Sequence, residues 1–177
     1  MNKIIKKQML QEEEYDFPYH YLDLKADEYK LIRRIEYLSY LGIVKNLLKP
    51  FTGQSVLDAG CGDGRFCYEL RNENVNFVGV DFSERAIGFA RAFNPNVEFF
   101  IQDLKRLNLP YKFDYIVMIE TLEHFIPNHI PQILENLYNK DGKLIITVPS
   151  KNRPLKKKHY QHFTEESLRN TLKDHFK

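Results

Sequence analysis

The sequence predicts an α/β fold, a mostly parallel sheet with helices on both faces, and three observations predict it. From Pro50 onward, short apolar runs alternate with stretches of helical spacing, the pattern of repeated strand–helix–strand units. One such run, Gln54 to Asp58, passes directly into Gly60-x-Gly62-x-Gly64 ahead of a helical stretch. Two later runs end in carboxylates, Asp81 and Asp103, at the same end of the sheet.

The elements follow in chain order. Residues 11–22, QEEEYDFPYHYL, are acidic, then aromatic, and broken by Pro18; proline disfavours helix before it, so this stretch is expected to extend or turn rather than begin a long helix. From about 25 to 48, Leu31, Ile35, Leu38 and Leu41 recur at helical spacing, which predicts an amphipathic helix with a break near Gly42. Strands are expected at 54–58, 75–80, 97–101, 113–119 and 143–148. Helices are expected at 63–72, 83–93 and 129–139, the last with Pro131 in its first turn. Thr164, followed by Glu165 and Glu166, reads as the N-cap of a final helix over 164–174. Residues 1–50 form an N-terminal aromatic segment and helix on the cap or acceptor side, and residues 51–177 form the alternating body.

Bulk properties narrow the function classes. A chain of 177 residues is the size of one domain with a continuous core. Its net charge of +2 does not by itself indicate nucleic acid, although Lys151, Arg153, Lys156, Lys157 and Lys158 cluster locally. Two cysteines, Cys61 and Cys67, are too few for a disulfide framework, and the first residues lack the apolar core of a signal peptide, so a cytoplasmic protein is expected. No apolar run approaches the roughly 20 residues that span a bilayer.

A glycine-rich strand-to-helix turn lets a ligand approach the backbone closely. The dinucleotide fingerprint requires a glycine three residues after Gly62, but position 65 is Arg, which argues against a nicotinamide-dependent oxidoreductase. A carboxylate at the end of the second strand, Asp81, can accept both hydroxyl hydrogens of a ribose. Taken singly, Asp81 and Asp103 would read as helix caps; three correctly spaced strand ends together point to a nucleoside.

The run Val56-Leu57-Asp58-Ala59-Gly60-Cys61-Gly62-Asp63-Gly64, with Asp81, Asp103, Phe113 to Val117 and Gly142 to Pro149, resembles class I S-adenosylmethionine-dependent methyltransferases from about 56 to 172. The resemblance implies a doubly wound, Rossmann-like sheet of order 3-2-1-4-5. It implies S-adenosylmethionine held by Asp58, Gly60, Cys61, Gly62, Asp81, Phe82, Asp103, Leu104 and Glu120, with Asp103 at the adenine amino group. Such enzymes end in an antiparallel strand pair, whereas this sequence stops at Asp174 to Lys177, so either the chain is shortened or the sheet is.

Methyl transfer to an alcohol needs an aligned acceptor and a base. Beyond the fourth strand stands Glu120-Thr121-Leu122-Glu123-His124, and His124 is the expected catalytic base. Glu-x-x-Glu-His is similar to the metal-binding segment of small-RNA 3′-terminal 2′-O-methyltransferases and to ubiquinone-pathway O-methyltransferases. That similarity implies a divalent metal on Glu120, Glu123, His124 and His159. Tyr19, His20 and His162 are expected on the acceptor side. The expected acceptor is a small molecule, sugar or lipid precursor methylated on oxygen. The alternatives are the 3′ end of an RNA, with metal, and a non-catalytic cofactor-binding partner subunit.

Overall fold

The computed structural model describes residues 3–24, 31–49, 51–138 and 141–176. Five strands, β1 (Gln54–Ala59), β2 (Val75–Asp81), β3 (Glu98–Ile101), β4 (Tyr115–Ile119) and β5 (Lys143–Thr147), form one sheet of order β3-β2-β1-β4-β5. Every pairing is parallel. The expected fold class and strand order are therefore present. Among the described residues no antiparallel strand pairs with β5.

Strand alternation sends successive side chains to opposite faces, and both faces are covered. Leu57, Ile116 and Met118 pack beneath α5 (Ile130–Tyr138), against its Ile133, Leu134 and Leu137. Val56, Val117 and Ile119 face the other way, against Leu41, Val44 and Leu48 at the end of α2 (Leu31–Leu47) and against Phe66. Beside them, α4 (Glu84–Phe93) sets Ile87 and Ala90 on Phe99 and Cys67.

Four local expectations are corrected. Residues 11–13 belong to a helix, α1 (Lys3–Glu13), because the preceding run of good helix formers carries through them. The turning path begins only at Glu14, as short 3-10 turns at Glu14–Asp16 and Tyr19–Leu24 on either side of Pro18. Helix α2 runs unbroken through Gly42, and its buried stripe is Leu41, Val44 and Leu48, while Ile35 is exposed; residues 25–30 of the expected helix lie outside the described ones. The helix expected at 63–72 shrinks to α3 (Arg65–Glu69), since Asp63 and Gly64 remain in the turn. Strand β4 starts at Tyr115, and just before it the Asp114 carboxylate accepts hydrogen bonds from the Ser55 backbone N–H and hydroxyl, both at 2.8 Å.

The last helix, α6 (Glu165–Leu172), is capped as expected. Thr164 Oγ1 accepts from the Ser167 N–H at 3.0 Å, and Ser167 Oγ accepts from the Thr164 N–H at 2.8 Å. Thr164→Ala is expected to lower stability by about 1 kcal/mol in urea unfolding, and no change would mean that α6 adds nothing to the cooperative unit. No described helix is long and apolar enough to cross a membrane.

Candidate functional site

The carboxyl ends of the strands open on a cavity of about 1070 Å³, at the upper end of the roughly 300–1,000 Å³ usual for small-molecule sites. Its location follows from topology: β1 lies between β2 and β4, so the chain leaves it at the point where strand order reverses, where open α/β sheets leave a crevice.

One half is built by the glycine turn and the strand ends. Asp58, Gly60 and Cys61 line it from β1, Asp81 and Phe82 from β2, and Asp103 and Leu104 from beyond β3. Gly60 and Gly62 have φ of 88° and 53°, where L-residues are strained. A Cβ on Gly60 would stand 2.3 Å from Thr121 Cγ2. Gly62 lies a layer back from the cavity, where a Cβ would stand 2.6 Å from the Tyr15 hydroxyl.

The two carboxylates at the base of this half are poorly solvated. Burial, then the Asp81 charge, pushes Asp58 up to about 8. Burial raises Asp81 to about 6, opposed by hydrogen bonds that the Ser83 and Gly62 N–H groups donate at 2.9 and 3.0 Å. Asp81 therefore shapes the turn as well as facing the cavity. Asp103 combines the same two features: it lines the cavity and also accepts from the Lys105 N–H at 3.0 Å.

The N-terminal segment covers the turn. His20 Nδ1 lies 2.8 Å from Asp63 Oδ1, and its backbone N–H donates to Asp63 Oδ2 at 3.1 Å. Arg65, at the position where the dinucleotide fingerprint wants glycine, is buried; it donates to the His20 carbonyl at 3.1 Å and to Glu69 at 2.7 Å. Tyr15, Tyr19 and His20 all reach the cavity wall. Neither Tyr15 nor Thr121 stands out in sequence as a site residue, because what places them is the glycine turn they press on.

The other half holds the titratable groups. Glu120 lines the cavity at φ 49°, its N–H donating to the Thr147 carbonyl at 3.1 Å. Glu123, His124 and His159 bring one ligand atom each to within 4.8 Å of one another, and Glu120 is not in that group. Glu123 Oε1 is 3.9 Å from His124 Nε2 and 4.0 Å from His159 Nε2. Glu123 is 1% exposed, and neither carboxylate oxygen has a hydrogen-bond partner. Burial, reinforced by Glu120, raises it to about 8. Burial lowers His124 well below its usual value, helped by the Lys158 charge and opposed by a hydrogen bond to the Lys158 backbone. Burial, with Lys156 and Lys158, lowers His159 to about 3.

His162 Nδ1 lies 3.1 Å from the Arg153 carbonyl, which only accepts, so that nitrogen carries a proton. His162 Nε2 lies 2.8 Å from His159 Nδ1, and His159 Nε2 faces Glu123 Oε1 at 4.0 Å. His162 thus stands behind His159 and does not line the cavity, although it was expected on the acceptor side.

Comparison with known proteins agrees with this architecture. Residues 50–176 match the methyltransferase domain family. The chain is 28% identical over 128 residues to a malonyl-[acyl-carrier protein] O-methyltransferase of Bacillus cereus, covering 68% of this chain and 47% of that one. It is 29% identical over 116 residues to a ubiquinone biosynthesis O-methyltransferase of Albidiferax ferrireducens, covering 62% and 45%. The chain thus spans about half the length of these relatives. The solved magnesium protoporphyrin IX methyltransferase of Synechocystis with bound S-adenosylmethionine superposes with a TM-score of 0.68 at 25% identity, over 80% of this chain and 69% of that one. A parallel sheet of order 3-2-1-4-5, a glycine turn at its reversal point and a match over 50–176 place the chain in the class I S-adenosylmethionine-dependent methyltransferase family.

Proposed function

We propose that the chain transfers the methyl group of S-adenosylmethionine to an oxygen of a small-molecule acceptor. The observation that carries this reading is the continuity of the cavity, which joins the glycine turn and its carboxylates to the Glu123, His124 and His159 corner without a dividing wall. Bound at the turn, S-adenosylmethionine supplies a methyl carbon activated by a sulfonium. Asp81 and Asp103 are positioned to accept hydrogens from a ribose and an adenine amino group, which for the buried Asp81 would also relieve its poorly solvated state. Phe82 and Leu104 offer apolar surface beside them.

For an alcohol acceptor, the attacking oxygen bonds to the methyl carbon as the carbon–sulfur bond breaks, and the hydroxyl proton must leave. His124, which lines the cavity 3.9 Å from Glu123, is the residue proposed to receive it; burial keeps the imidazole uncharged, which leaves it able to accept a proton but lowers its basicity. Tyr19 and His20 close the donor side against bulk water.

A specific observation favours a second role for the same corner. A buried carboxylate without hydrogen-bond partners, faced by two imidazole nitrogens, suits a divalent cation held by Glu123, His124 and His159, with His162 orienting His159 from behind. Such an ion would lower the pKa of a bound acceptor hydroxyl. The 3.9–4.0 Å separations need only a small contraction to reach the about 3.4 Å between tetrahedral ligands at 2.1 Å.

Both readings meet one experiment: a screen of acceptor pools for S-adenosylhomocysteine release, with and without divalent metal or chelator. Release from a small hydroxylated acceptor supports the proposal, and activity unchanged by chelation removes the metal. Metal-dependent protection of a terminal ribose would move the acceptor to RNA. Cofactor binding with no release until another protein is added would make the chain a partner subunit. Asp81→Ala is expected to weaken S-adenosylhomocysteine binding by about 1–3 kcal/mol in calorimetry, and unchanged affinity would remove Asp81 from the donor site.

A further inference from the structure

Cations gather on one wall of the cavity. Arg153, Lys156 and Lys158 from the loop after β5, and Lys7 from α1, line it beside the Glu123 corner, together with Glu14 and Glu120, whereas in the donor half the lining cation Lys105 is paired with Asp103 at 3.0 Å. Those cations are sorted rather than scattered: Lys151 and Lys157, from the same cluster in sequence, do not line the cavity.

The loop that presents them is held by its backbone. The Lys151 N–H donates to the Phe163 carbonyl at 2.8 Å, the Phe163 N–H to the Pro149 carbonyl at 3.1 Å and the Arg153 N–H to the Ser150 carbonyl at 3.0 Å. At its far end the His159 N–H donates to the Lys156 carbonyl at 3.0 Å, and the Tyr160 N–H donates to the Glu123 carbonyl at 2.8 Å. The basic wall and the candidate catalytic corner are thus fixed to each other. Lys158 is paired with Glu14, and Lys7 donates to the His159 carbonyl and lies 4.1 Å over the Tyr160 ring. Arg153 and Lys156 are exposed at the cavity mouth.

We infer that the acceptor bears an oxyanion group, which seats against Arg153 and Lys156 with Lys158 and Lys7 behind, while its methylated oxygen points to the Glu123 and His159 corner. This rests on the reading above that the cavity takes an acceptor, and it names the acceptor's class. The chemistry follows from charge. A guanidinium offers a fork of donors and an ammonium a compact charge, which together match a phosphate or carboxylate. A cationic amine would meet repulsion at this wall, so the same feature selects against amine acceptors.

The test uses the full chain saturated with S-adenosylhomocysteine and titrated calorimetrically with inorganic phosphate as probe. Phosphate is expected to bind, and the Arg153→Ala/Lys156→Ala double variant to weaken it about 10-fold. A Lys151→Ala/Lys157→Ala control should bind phosphate as the unmodified protein does, and both variants should keep S-adenosylhomocysteine affinity unchanged. Absence of phosphate binding, equal affinity in the double variant or equal loss in the control would each overturn the inference. Failure of the unmodified chain to bind S-adenosylhomocysteine would instead overturn the donor reading, and the phosphate titration of the unloaded chain would still decide the oxyanion site.

Discussion

Gly60→Ala is expected to reduce S-adenosylhomocysteine affinity by about 100-fold or more, which corresponds to about 2.7 kcal/mol. Two costs combine. At φ 88° a side chain pays about 1–2 kcal/mol for the left-handed region. The new methyl would also stand 2.3 Å from Thr121 Cγ2 and 2.6 Å from its Oγ1, too close for either atom. The turn has little room to yield: the Gly60 and Cys61 N–H groups both donate to the Val80 carbonyl, at 2.8 and 3.0 Å, and Thr121 Oγ1 donates to the Ile119 carbonyl at 3.0 Å. The strain must therefore displace the backbone proposed to receive the donor. Calorimetry measures the affinity, and a thermal melt by circular dichroism separates it from unfolding. Adding Thr121→Ala should restore part of the affinity by removing the clash. Undiminished binding in Gly60→Ala would show that the donor sits elsewhere.

Glu123→Gln is expected to stabilise the metal-free protein by about 2–4 kcal/mol at pH 8.5 and by little at pH 4. Burial raises this carboxyl from 4.5 to about 8, so the folded state keeps a proton that the unfolded state releases. Below the unfolded value the group is neutral in both states and there is no penalty. As pH rises from about 4.5 to about 8 stability falls, and above that the full penalty remains. The amide has the same shape and cannot ionise, so this component of the slope disappears. Asp58 and Asp81 contribute equally to both proteins and cancel in the difference. Urea unfolding at the two pH values in chelator reads it, and a pH-independent difference would sink the account. A divalent ion at this corner would favour the ionised carboxylate, so adding one should stabilise the unmodified protein and leave the variant unmoved.

These two residues also mark what was legible in sequence. Gly60 belongs to a contiguous signal: apolar residues into β1, a carboxylate and glycines spaced for a tight turn are all determined within eleven positions, and the strand order was implied by the family resemblance that this signal carries. The family match over 50–176 covers the region where those local rules agree. Glu123 and His124 are visible as a motif, yet their burial, and the approach of His159 from 35 positions later, depend on the Tyr160 N–H donating to the Glu123 carbonyl. No local pattern encodes that contact.

The N-terminal region shows the opposite limit. Ile35, Leu38 and Leu41 have good helical spacing, but only Leu41 is fully buried on the sheet; Leu38 packs there partly buried and Ile35 is exposed. Periodicity establishes that a helix is amphipathic, whereas the facing surface decides which turn is buried. Pro18 likewise signals a break without revealing that the chain would then fold back so that His20 meets Asp63.

The sequence by itself determined the α/β class, the order of strands and helices and the glycine turn, because each rests on backbone preferences and periodicities that act over a few residues. Only the tertiary structure decided which charges share the cavity: that Arg153, Lys156 and Lys158 face it while Lys151 and Lys157 do not, and that Glu123 is stripped of water between two histidines. Desolvation and electrostatic fields depend on distances through space, and a linear sequence does not contain them until the chain has closed upon itself.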